Sequence, residues 1–182
     1  SLFVYGQTGQ SGELNVTSDR FACYIIYGGD ITIAGGKVTA SGETGIHAQY
    51  YNNNGGNVTI KNATVTATGT SYNGILSENG GNITIDNSNV TATSTGSYVI
   101  FAQKGGITID NSNVTATATN NGTVIYAGKG DITIANGTVT ASGTQYGIFT
   151  ENGSVTINGG QVTATGNFGI YTIGSVTING GQ

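Results

Sequence analysis

Residues 83–93 read ITIDNSNVTAT, and residues 107–117 read the same eleven letters 24 positions later. Side chains on a strand alternate between its two faces, so ITI and VTAT each put apolar residues on one face and threonine on the other. Asp-Asn-Ser-Asn between them is turn chemistry, because Asn tolerates the left-handed backbone that a tight corner demands. The phrase therefore reads as strand, corner, strand.

The same pattern extends in both directions. An apolar-Thr-Ile strand starts at Ile31, Val58, Ile83, Ile107, Ile132, Val155 and Val176, at intervals of 27, 25, 24, 25, 23 and 21 residues. A second strand, VTAS or VTAT, follows at Val38, Val65, Val90, Val114, Val139 and Val162. A third, looser strand follows as GIHA (45–48), GILS (74–77), VIFA (99–102), VIYA (124–127), GIFT (147–150) and GIYT (169–172). Near-identical strands recurring at one period stack most naturally in parallel and in register. The expected fold is all-β: a single-stranded parallel β-helix, or solenoid, with three short strands per coil and about seven coils of 21–27 residues. Residues 1–28 fit as an atypical first coil or N-terminal cap. In this segment the strands at Glu13 and Tyr24 resemble the second and third of a coil, whereas 1–12 match nothing. Residues 29–182 form the repeat, which is expected to continue beyond Gln182. The absence of a leader before Ser1 fits a processed or excised chain.

Composition agrees and excludes several functions. The 182 residues include 32 Gly and no Pro, Met or Trp; only 8% are charged, and the net charge is −4. Five basic residues cannot line a nucleic-acid groove. The single Cys23 rules out a disulfide framework, and no apolar run reaches the ~18 residues of a membrane span.

The run VTINGGQVTATGNFGIYT (155–172) resembles the repeats of secreted β-helix proteins from gut and plant-degrading bacteria, some grouped as a carbohydrate-binding family with a member that attaches to pectic polysaccharide. The resemblance implies a secreted or cell-surface bacterial protein with a polysaccharide or cell-surface glycan as partner. Calcium enters by this resemblance alone; the residues themselves call for no cofactor. A net charge of −4 opposes an acidic chain, which would need bridging cations, and suits a neutral glycan better.

Three columns are candidates for function. On the third strand, Ile46, Ile75, Ile100, Ile125, Ile148 and Ile170 point inward, so the next residue faces solvent. These are Ile26, His47, Leu76, Phe101, Tyr126, Phe149 and Tyr171, an apolar and aromatic stripe. Two residues further on stand Gln49, Glu78, Gln103 and Glu151. Rings beside amides and carboxylates suit the C–H faces and hydroxyls of a sugar, and an exposed apolar stripe marks a contact surface. On the second strand, Thr66, Thr68, Thr91, Thr93, Thr115, Thr117, Thr140, Thr163 and Thr165 form a flat T-x-T array. It resembles the ice-binding face of antifreeze solenoids. On the first strand, Asp86 and Asp110 share one column and are the only weak candidates for a metal, with Lys61 one coil earlier to offset them. No recognisable nucleophile–base pair accompanies His47, so no enzyme is expected. The leading expectation is a non-catalytic binder of carbohydrate, or an adhesin, acting through the stripe. A rigid stalk and an ice binder are the alternatives, and end-to-end or lateral self-association is open to all three.

Overall fold

The computed structural model describes residues 1–5, 12–26, 29–49 and 55–182. Of the atypical segment 1–28, residues 6–11 and 27–28 thus lie outside the described residues. One coil illustrates the rest: strand Ile83–Asp86, a corner, strand Asn89–Ser94, a short connection, then strand Tyr98–Ala102. Each strand pairs only with its counterparts one coil below and one above, always parallel, so that Ile83 stands opposite Val58 and Ile107. Three parallel sheets result, of eight, seven and seven strands, with strand order following coil order. The chain is a parallel β-helix, as the repeat dictates.

The alternation inside each strand decides the core. Ile83 and Ile85 are fully buried, as are Val90 and Ala92, while Thr84 and Thr91 face outward. Stacked through the coils, such residues fill a dry bore, each buried Ile contributing about 1.5–3 kcal/mol. Cys23 belongs to this wall, opposite Ile46 and 3% exposed, and burial pushes its thiol pKa up.

Two features of the fold differ from the sequence reading. Leu2–Tyr5, which matches no repeat, is a first strand all the same: Leu2 pairs with Ile31 and Val4 with Ile33. The pairing is made by backbone groups, which need no sequence likeness. The second difference is on the third face, where alternation breaks. Val99 and Ile100 are consecutive yet both fully buried. The residues on either side, Tyr98 and Phe101, therefore both lie outside the bore, with ring centroids 4.5 Å apart. The equivalent position in other coils is Gly45, Gly74, Val124, Gly147 or Gly169, where small or slim residues let the wall bend inward.

Candidate functional site

On the third face the outward column runs Tyr24, His47, Leu76, Phe101, Tyr126, Phe149 and Tyr171 in strict register. Its first member is Tyr24, not Ile26, because the first strand of this sheet ends at Ile25. The bend described above adds a second outward column three residues earlier, in which Phe21, Tyr98, Tyr146 and Phe168 are interrupted by Thr44, Asn73 and Thr123. Phe101 and Tyr126 stack at 4.7 Å and 6°, and Tyr126 and Phe149 at 4.9 Å and 13°. Tyr146 stacks on Phe149 at 4.8 Å and on Phe168 at 5.4 Å.

This arrangement corrects the expectation of a solvent-facing stripe at His47, Leu76 and Tyr126, whereas Phe101 and Phe149 are half-buried and Tyr171 is 39% exposed. The rings spend their faces on one another, leaving Tyr126 6% exposed, Leu76 5% and His47 4%. A sugar cannot stack on a face already covered by the next coil's ring. The polar column is similarly engaged: Tyr126 Oη donates to Glu151 Oε1 at 2.7 Å, Asn79 N donates to Gln103 Oε1 at 3.1 Å, and Tyr24 Oη donates to Gln49 Oε1. Burial first, then the Glu151 carboxylate, pushes the Tyr126 phenol pKa upward.

The ladder has one gap. Where the coil containing Tyr98–Ala102 presents Tyr98 and Phe101, the second coil presents Thr44 and His47, and the third presents Asn73 and Leu76. Thr44, Asn73 and Leu76 standing where other coils carry larger rings leave a cleft of about 330 Å³ between Phe21 below and the ring stack above. Thr44, His47 and Leu76 form its floor, all buried. Phe21, Gln49, Glu78, Glu43, Arg20 and the 56% exposed Tyr72 surround it. Tyr72 is placed by the long connection 70–73, whose amide at Tyr72 donates to the Glu43 carbonyl at 2.8 Å.

The electrostatics of the cleft centre on His47. Among the described residues neither of its ring nitrogens has a hydrogen-bond partner. Nε2 approaches Glu78 Oε1 at 3.4 Å, a contact whose geometry falls short of a hydrogen bond. The imidazole nonetheless holds the Glu78 carboxyl below the usual carboxylate range, with Gln49 helping and burial opposing. At the rim, Arg20 lies 3.9 Å from Glu43 and 5.4 Å from the Phe21 ring centroid.

The structure thus brings His47, Gln49, Leu76 and Glu78 together. It leaves Phe101, Tyr126, Phe149, Tyr171, Gln103 and Glu151 in the ladder, away from the cleft. His47, expected to be a solvent-facing residue, is instead its buried floor. Sequence reading missed Arg20, Phe21, Glu43 and Tyr72. Phe21 would have appeared had the column three residues before the stripe been aligned, whereas Tyr72 sits in a connection with no repeat counterpart.

The other columns behave as follows. Thr66, Thr91, Thr115, Thr140 and Thr163 lie in register on the second face, as do Thr68, Thr93, Thr117 and Thr165, with Ser142 between the last two. On the first face Lys61 Nζ reaches Asp86 Oδ2 at 3.1 Å, and Asn136 Nδ2 donates to Asp110 Oδ1 at 3.2 Å. Calcium needs about six to eight oxygen ligands. Both aspartates are already partnered, and no cluster of three acidic, His or Cys residues exists among the described residues, so they do not fit that ion. A more open trough of about 370 Å³ follows the asparagine corner, but its amides bond each other, Asn87 Nδ2 donating to Asn62 Oδ1 at 2.6 Å. It carries neither a ring nor a charge.

A family model described as a beta helix repeat matches residues 31–51, 132–153 and 155–170. No curated protein and no solved structure matches the chain. Repeat and architecture together define the class: this is a repeat parallel β-helix protein.

Proposed function

We propose that this solenoid is a non-catalytic, extracellular carbohydrate binder that holds a saccharide in the cleft over His47. The observation that supports this reading is the missing rung: rings at Phe21 and Tyr72 flank a concave floor with convergent polar groups, the usual make-up of a ligand site. Its volume is near the lower end of such sites, about 300 Å³, which suits a short stretch of glycan. Resemblance of the repeats to secreted β-helix proteins supports the location and the ligand class, and adhesion to a glycan-coated surface is the same chemistry at a cell boundary.

A glycan array followed by calorimetry tests the proposal. Wild type is expected to bind at least one oligosaccharide, and Tyr72→Ala to weaken it by on the order of tenfold, the scale of losing one aromatic anchor. Weakening by Tyr171→Ala but not by Tyr72→Ala would move the surface from the cleft to the end of the ladder. Binding to no glycan at all would leave the rigid stalk as the better reading.

The threonine face supports a second reading, binding to ice, because its two columns are regular in both directions. Threonines two residues apart lie about 6.7 Å apart along a strand, and coils repeat at about 4.8 Å.

A further inference from the structure

The lining of the cleft carries information about which saccharide fits, and this inference rests on the binding site proposed above. Two of the groups around the floor are acceptors only, and Asn73, which also lines it, spends its amide donor on the Tyr98 carbonyl at 3.1 Å. Glu78 and Glu43 contribute carboxylates, and Gln49 turns its Oε1 toward the Tyr24 hydroxyl, which leaves that oxygen a second lone pair. Nε2 of His47 faces Glu78 at 3.4 Å, and both ring nitrogens are buried and unpaired among the described residues.

The only guanidinium nearby is Arg20, and it is committed at the rim. It stacks over Phe21, faces Glu43, and its side chain is 76% exposed. One arginine against two glutamates leaves the lining with an excess of one negative charge when His47 is neutral. A uronate carboxylate entering here would meet Glu78 with no free cation to receive it. A ligand bearing a positive charge meets the opposite situation, and the exposed Tyr72 ring adds a π face that attracts cations.

We propose that the saccharide held in this cleft carries a free amino group, and that this primary ammonium sits between Glu78 and Glu43 over the His47 floor while the sugar ring lies against Tyr72. A primary ammonium is three donors and no acceptor, the complement of the Glu78 and Glu43 carboxylates. Acetylation would remove both the charge and two of the three donors, so the free amine and its N-acetyl form are discriminated. The class is therefore an amino-sugar polymer with free amines, not an acidic pectic chain.

The test is calorimetric titration of the 182-residue chain with glucosamine, N-acetylglucosamine, glucose and galacturonate oligosaccharides of equal length, plus spermidine as an amine without a sugar. Glucosamine oligomers are expected to bind at least about tenfold tighter than the other saccharides and than spermidine. Glu78→Gln is expected to remove most of that preference, with Glu43→Gln as a second variant should the first be poorly folded by circular dichroism. Equal binding of acetylated or neutral oligomers, or full retention of the preference in both Gln variants, overturns the ammonium assignment while the carbohydrate reading stands. Equal binding of spermidine overturns the sugar part. Failure of every saccharide to bind overturns both readings.

Discussion

Asn87 adopts φ 46°, and its counterparts Asn62 and Asn111 adopt 50° and 46°. In the left-handed region an ordinary side chain costs roughly 1–2 kcal/mol, which Asn and Gly largely avoid. The corner column was legible for that reason, but its later members shift. Asn136 is not left-handed; Gly137 takes φ 103° instead, and Gly160 and Gly181 do the same at 85° and 102°. Where two permissive residues are adjacent, sequence cannot say which one bends. At the same scale, Glu78 makes a pH prediction. Its folded-state pKa lies below the ordinary 4.5, chiefly because of the neighbouring His47 imidazole. Its contribution to stability is present above that value and is lost as pH falls through the lower folded value. Acid unfolding followed by circular dichroism should show wild type losing stability more steeply than Glu78→Gln as pH falls below about 5. An identical slope would mean that the contact does not matter to folding.

At the scale of the strand, the third face shows how one departure from alternation creates a structure. Consecutive inward residues such as Val99 and Ile100 set the flanking aromatics on the same outer side, and the rings then close over one another. Stacked pairs contribute about 0.5–1.5 kcal/mol beyond the area they bury. Tyr126 lies between Phe101 and Phe149, so Tyr126→Ala is expected to cost about 3–5 kcal/mol, the range for emptying a buried aromatic site. Tyr126→Phe keeps the stack and loses only the bond to Glu151, a cost of about 1 kcal/mol. Denaturant melts of both variants measure the difference. A small, equal effect would show the ladder to be ornamental to stability. The sequence disclosed the aromatics in one column; that they would bury each other depended on ring-to-ring distances that only adjacent coils set.

For the whole molecule, stacking turns short motifs into extended surfaces. The second face carries its threonines in two parallel columns, and Thr93 Oγ1 donates to Thr68 Oγ1 at 3.4 Å along one of them. If that lattice binds ice, wild type will show thermal hysteresis, and Thr91→Tyr or Thr115→Tyr will abolish it by breaking the flat surface. No hysteresis in wild type ends that reading.

The sequence by itself determined the coil, its three strands, the inward Ile, Val and Ala and the outward Thr, because a period-2 pattern repeated at a nearly constant spacing admits one stacking of identical strands. It did not determine Leu2–Tyr5 as a strand, since that pairing uses backbone groups alone. The tertiary structure decided the site. The cleft is a gap made where Thr44, His47, Asn73 and Leu76 replace the aromatic pair that Phe21 and Tyr24 present below and Tyr98 and Phe101 above, and it is bounded by Tyr72 from a connection outside the repeat. No residue announces such a gap in the chain; it exists only once neighbouring coils are set about one strand spacing apart.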